Sequence, residues 1–291
     1  MRLMTPTLSP DMLYYSGSKF CNYVRPAYAA GSTWIYGGNM GHPDPIAFEI
    51  AGIEIRWYGI LIAAGMLLAV LISSKRAHEH GIKDEDVLDI ALWMLPIGVI
   101  GARLYYVLFN LDMYHSVGDA LNIRNGGLAI HGGLIFGAIT VWLVCRHKHI
   151  HTLNVLDLFV PTVALAQSLG RWGNFFNGEA HGGPTDLPWG ILVDGVKVHP
   201  TFLYESMWCL FLFFFLTWWD RNRRKAYGQT FSLYLILYSA ERFLVESLRT
   251  DSLMIGPFKQ AQVISLCAII GGVILFNYCA KHFPLPEKQT D

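Results

Sequence analysis

Three arginines in this 291-residue chain stand inside stretches that otherwise read as apolar: Arg103 in "GARLYYVLF", Arg171 in "GRWGNFFNGE" and Arg242 in "YSAERFLVE". An arginine at the centre of a membrane span costs about 2.5–3.5 kcal/mol on insertion scales, so it needs a partner or a function. Its planar fork of N–H donors matches phosphate oxygens two at a time. Two arginines on separate helices, open to one leaflet, read as a clamp for an anionic lipid headgroup. Their neighbours fit that reading. Asn174 follows Arg171 by three positions and shares its helix face, and Asn177 and Glu179 come where the helix breaks. Tyr238, Arg242 and Glu246 recur at steps of four, which makes one stripe on a helix. The plainer alternative for that stripe is an Arg–Glu pair that neutralises itself. Glu241 is a further carboxylate, roughly a quarter-turn off this stripe.

His131 of "GGLAIHGG" can accept a proton near neutral pH. It is a candidate base, against the alternative of a satisfied core histidine. Gly132 and Gly133 beside it would admit a substrate or another backbone. "HPTFLYE" puts His199 at a helix cap and Pro200 at the first helical position, where a missing N–H does no harm. Tyr204 and Glu205 then enter the membrane one turn in, which capping does not explain. Gly170 and Gly173 suit close helix packing; Gly178, Gly182 and Gly183 suit turns.

These groups need a scaffold. The chain is 53% hydrophobic and only 15% charged, whereas about a quarter is usual in soluble domains. Seven stretches have roughly the length a 30 Å hydrocarbon core requires: residues 56–73, 87–109, 127–145, 155–176, 200–219, 229–248 and 261–279. The expected fold is an all-α polytopic membrane bundle of about seven helices; the alternating segments of a β-barrel are missing. Residues 1–50 read as an extracytoplasmic segment, 51–280 as the transmembrane catalytic domain and 281–291 as a cytoplasmic tail, with Met40 as the natural start. The formal net charge is zero, so no basic field points to nucleic acid. Cys21, Cys145, Cys209, Cys267 and Cys279 lack CxxC spacing and read as small packing residues.

Lys and Arg concentrate in the loops after the first, third and fifth spans and in the tail. That bias places the N-terminus outside and the C-terminus in the cytoplasm. The three arginines then fall in the outer halves of the second, fourth and sixth spans. His131, Tyr58 of "RWYG" and "HPTFLYE" open the third, first and fifth. The polar motifs gather in the outer half of the membrane, and the inner half reads as apolar.

"RWYG", "GARLYYVLF", "GGLAIHGGL", "GRWGNFFNGE", "HPTFLYE" and "ERFLVESLR" occur in this order, and in that order the chain resembles bacterial prolipoprotein diacylglyceryl transferases from about residue 44 to residue 280. The resemblance implies transfer of the diacylglyceryl group of phosphatidylglycerol to the lipobox cysteine of a preprolipoprotein signal peptide. A thioether forms, glycerol 1-phosphate leaves, and no metal or organic cofactor takes part. It implies the bacterial inner membrane, with the active site facing the outer leaflet. Arg171 and Arg242 would stabilise the leaving phosphate, and His131 would take the thiol proton, unless Tyr58 or a carboxylate does so. Asn174, Glu179, Tyr238 and Glu246 would position the headgroup, with Gly182, Arg103 and His199 in the same site. Val198, Glu241 and the 39-residue N-terminal extension depart from the family pattern.

A transporter or proton-coupled channel is the rival reading, since intramembrane Arg, Glu and His also line pathways. It calls for polar groups in both leaflets. An intramembrane protease would need a Gly-x-Ser-x-Gly turn or paired aspartates. A metal-dependent lipid phosphotransferase would need clustered aspartates, and Asp157 stands alone in the sequence.

Overall fold

The computed structural model describes residues 43–50, 52–114, 116–122, 126–193, 195–250 and 252–286. Met40 as a start, Cys21 and the end of the tail lie outside the described residues. Eight α-helices are described: α1 Trp57–Arg76, α2 Asp84–Leu108, a short α3 Val117–Leu121, α4 Ile130–His147, α5 Thr152–Asn177, α6 Thr201–Asn222, α7 Gln229–Leu248 and α8 Gln260–His282. The seven long ones match the seven expected spans to within a few residues. Six are long and apolar enough to cross a membrane, and the chain is a membrane protein. The seventh, α7, is 20 residues long and carries Glu241, Arg242 and Glu246, which lower its hydropathy. Three antiparallel hairpins are described: β1 Ile46–Ile50 with β2 Ile53–Arg56 ahead of α1, β3 Ile191–Val193 with β4 Val196–Val198 between α5 and α6, and β5 Met254–Ile255 with β6 Phe258–Lys259 between α7 and α8.

Local chemistry sets the helix ends. α5 stops at Gly178, whose φ of 66° is left-handed. The Gly178 N–H then bonds the Phe175 carbonyl and the Glu179 N–H that of Asn174, closing the last turn. Pro200 is the N-cap of α6 rather than its first residue, and His199 lies one position further out. The expected cap is therefore displaced by one residue.

Small residues bring the helices together, the usual device where lipid offers no hydrophobic drive. On α1 and α5, a Cβ at Gly65 would lie 3.1 Å from the Ala166 Cα, and Gly173 receives the Tyr58 ring. On α2 and α4, a Cβ on Gly132 would overlap the Gly101 carbonyl oxygen, and one on Gly101 would overlap the Phe136 ring. Of the two visitors expected at the glycines beside His131, the structure seats a backbone, that of α2. Gly132→Ala is therefore expected to destabilise the detergent-solubilised protein by about 1–3 kcal/mol through overpacking. Gly59→Ala, where nothing lies within 4 Å of the new Cβ, should leave the thermal unfolding midpoint nearly unchanged.

α5 is the polar spine. Thr162 bonds Ser73 of α1 at 2.9 Å, Ser168 bonds Ser206 of α6 at 3.0 Å, and Tyr234 of α7 donates to Gln167 at 2.9 Å. Cys145, Cys209 and Cys279 are buried free thiols, as packing residues should be, while Cys267 is exposed on α8.

The expectation of an apolar inner half is overturned. Where α1 and α6 end and α5 and α7 begin, Asp220 accepts from Arg76 at 2.6 Å, from His80 at 2.8 Å and from Thr230 at 2.8 Å. Arg224 lies 3.2 Å from Asp220 and 3.4 Å from Asp157, so Asp157 is not alone. Asp157 also accepts the backbone N–H groups of Gly228 and Phe231, at 2.6 and 2.8 Å. It caps α7 from a different helix, where a carboxylate meets the positive end of the dipole. The side chains of Arg76, His80, Asp157, Asp220 and Arg224 are at most 7% accessible. Polar groups therefore occupy both ends of the bundle, but this second set is closed and charge-paired, a latch between four helices rather than a path. Nearby, the Asp86 and Asp89 carboxylates hold the Lys148 ammonium above the ordinary lysine range, tying the start of α2 to the end of α4.

Candidate functional site

At the opposite end, the close of α5, the start of α6 and the last turns of α7 meet. Glu205, one turn into α6, is almost wholly buried. It sits between the two arginines: its Oε2 is 2.7 Å from Arg171 Nε, and its Oε1 accepts from Arg242 Nη1. Glu246 accepts from Arg242 Nη2, and Arg171 Nη2 donates to the Tyr238 hydroxyl at 3.2 Å. The spacing of four on α7 thus does put Tyr238, Arg242 and Glu246 on one face, aimed at α5 and α6. Buried charge is tolerable here because each carboxylate meets a cation.

Both arginine side chains remain 20% accessible. Among the described residues, neither Arg171 Nη1 nor Arg242 Nε donates a hydrogen bond to protein. The arginines are held in place with donors left over. Glu205 was missed as a site residue; its sequence signal was a carboxylate one turn inside a span.

The "GRWGNFFNGE" stretch is the last two turns of α5 and the residues just beyond its end at Gly178. Asn174 and Asn177 both donate to Glu179 Oε1, at 3.0 and 3.1 Å. Gly182 forms the crossing of three segments: its N–H bonds the His199 carbonyl at 2.9 Å, and a Cβ would lie 2.7 Å from the His199 Cβ and 3.0 Å from the Leu248 oxygen. Gly182 shapes the site through close backbone approach. The Tyr204 hydroxyl accepts from Trp189 Nε1 at 2.8 Å and lies 3.4 Å from His199 Nδ1. Lys259 closes the end of α7 by donating to the Glu246 and Arg249 carbonyls, at 2.7 and 2.8 Å.

Three expected site residues stand apart. Arg103 donates to the carbonyls of Ala120, Gly126, Gly127, Asp119 and Asn122 at 2.7–3.0 Å. All five N–H donors are committed to the segment between α2 and α4. His131, in the first turn of α4, is exposed and faces the Tyr105 ring with centroids 6.1 Å apart. No hydrogen bond joins it to the arginine cluster among the described residues. Tyr58 packs on Gly173, two residues from Arg171, and is 38% exposed.

Comparison with known proteins covers nearly all of this framework. The family described as prolipoprotein diacylglyceryl transferase matches residues 45–278. A phosphatidylglycerol--prolipoprotein diacylglyceryl transferase of Clostridioides difficile is 53% identical over 239 residues, covering 82% of this chain and 96% of the relative. One of Finegoldia magna is 50% identical over 233 residues, covering 80% and 94%. One of Thermotoga petrophila is 46% identical over 237 residues, covering 77% and 81%. With that match spanning the bundle and both arginine helices, the chain belongs to the prolipoprotein diacylglyceryl transferase family.

Proposed function

We propose that this enzyme transfers the diacylglyceryl group of phosphatidylglycerol to the lipobox cysteine of a preprolipoprotein signal peptide, at the outer leaflet of the bacterial inner membrane. The observation that carries the site assignment is the arginine pair, bridged by Glu205 with N–H donors to spare. The cysteine sulfur attacks the glyceryl carbon that bears the phosphate ester. A C–S bond forms, the C–O bond breaks, and glycerol 1-phosphate leaves with the electron pair. Negative charge grows on the phosphate as that bond breaks, so Arg171 and Arg242 bind the transition state more tightly than the ground state. Glu205, Glu246 and Tyr238 orient the two forks, which removes reorganisation from the reaction step. Asn174 and Glu179 border the headgroup, with His199 behind them.

The thiol near pKa 8.5 must lose its proton to attack well. His131 is the base in this reading, exposed at the start of α4 where a thiol can reach it, with Tyr58 as the alternative. The excess of Lys and Arg in the loops at the Asp220 end supports placing that end in the cytoplasm and the arginine pair at the outer leaflet.

The test uses purified protein, phosphatidylglycerol and a lipobox peptide with one cysteine, read by mass spectrometry. A diacylglyceryl adduct on the thiol is expected. Its absence from folded protein with accessible lipid would overturn the reading.

A further inference from the structure

At the arginine end, the chain between α7 and α8 presents bulky apolar side chains to its surroundings. Leu253, Met254, Ile255 and Phe258, in and beside the β5–β6 hairpin, are between 54% and 65% exposed. The hairpin turns on Gly256 and Pro257. Gly256 has a left-handed φ of 58°, and nothing lies within 4 Å of a Cβ built on it, so no other described segment packs on the turn. Ile255 pairs with Phe258 at the tip, and Met254 with Lys259 at the base; directly opposed residues share a face of the ribbon. Lys259 Nζ donates to the Glu246 and Arg249 carbonyls of α7 at 2.7 and 2.8 Å. The Leu248 carbonyl between them accepts from Gly183 at 2.9 Å. The base of the hairpin is therefore fastened to the last turn of the helix that carries Arg242, and its tip is bare.

The bare tip lies close to lipid. β6 runs directly into α8 at Gln260. That helix is long and apolar enough to cross a membrane, and it exposes Val263, Ile264 and Leu266 in its first two turns. α7 likewise exposes Leu244 and Leu248 near its end. Gly256 is three residues from Lys259, on the order of 10 Å at about 3.3 Å per residue, so the tip cannot rise far from the start of the span. Clustered exposed apolar surface marks an interaction site, and the surface this cluster continues is the lipid-facing flank of α8. We propose that the β5–β6 hairpin is a lipid anchor. Ile255, Phe258 and their neighbours insert among the acyl chains of the leaflet at the arginine end, and Lys259 ties the inserted hairpin to α7. The anchor holds the last turn of α7, and with it Arg242 and Glu246, at a fixed depth.

Nitroxide spin labels on Ile255→Cys and, separately, on Phe258→Cys read the surroundings of the tip. The full chain carries Cys21→Ser and Cys267→Ser as background and is reconstituted in vesicles of phosphatidylglycerol and phosphatidylcholine. Asp186→Cys, exposed in the loop before β3 at the same end, is the aqueous control. Power saturation compares collisions with oxygen, which concentrates in lipid, and with a water-soluble nickel chelate. At both hairpin positions the oxygen-to-nickel ratio is expected to exceed that of the control several-fold. A hairpin label that meets nickel as freely as the control would overturn the proposal. So would a label shielded from both reagents, which would mean that a second copy or a bound peptide covers the tip. The tie to α7 is read in the Ile255→Asp, Phe258→Asp double variant. Amide hydrogen exchange over residues 244–250 should quicken about ten-fold in the same vesicles, because local opening becomes easier, while residues 201–209 keep the parent rate. Unchanged exchange over 244–250 would overturn the anchoring of α7. Neither readout depends on transfer activity, so an enzyme that forms no thioether would leave the anchor standing, and loss of the anchor would leave the transferase reading standing.

Discussion

Arg171→Ala is expected to lower kcat for thioether formation by about 10²–10³-fold, the loss that follows removal of one donor aimed at developing charge. The protein should stay folded, because Glu205 keeps its second partner, Arg242, and no buried carboxylate is orphaned. KM should change less than kcat, since the leaving phosphate carries more charge in the transition state than in the bound lipid. Arg171→Lys should recover only part of the rate. An ammonium keeps the charge but cannot hold Glu205 through one nitrogen, bond Tyr238 through a second and present a third to the phosphate. Initial rates at saturating phosphatidylglycerol, with circular dichroism to confirm folding, decide the matter. An alanine variant within about three-fold of the parent would remove Arg171 from the chemistry.

Asp220→Ala is expected to have the largest effect on stability, about 3–5 kcal/mol, the range for removing one partner of a buried ion pair. Arg76, His80, Thr230 and Arg224 all converge on this carboxylate, and its loss leaves two buried guanidinium groups short of an anion. Asp220→Asn, which keeps the shape and some acceptor capacity, should lose less. Thermal unfolding in detergent measures both. Transfer activity per folded molecule should be nearly unchanged, because the latch and the arginine pair stand at opposite ends of the bundle. A specific activity that falls in step with the unfolding midpoint would instead mean that the two ends are coupled.

The sequence by itself determined the seven long helices, six of them apolar enough to cross a membrane, because hydropathy and helix length are local properties that a 30 Å lipid core reads directly. It also marked Arg171 and Arg242, since a guanidinium in an apolar run is costly wherever the chain folds. The repeat of four on α7 was legible for the same reason: helix geometry alone puts Tyr238, Arg242 and Glu246 on one face. What only the tertiary structure decided was partnership. Arg103 looked like Arg171 in its run of residues, yet the loop after α2 wraps it in carbonyls and occupies every donor. Glu205 looked like a stray carboxylate until α5 and α7 brought an arginine to each of its oxygens. The Asp220 latch was missed because its members are spread along the chain, Arg76 and Asp220 being 144 residues apart. A charge buried in a bundle is defined by the groups that meet it there, and helix packing, which no local window contains, chooses those groups.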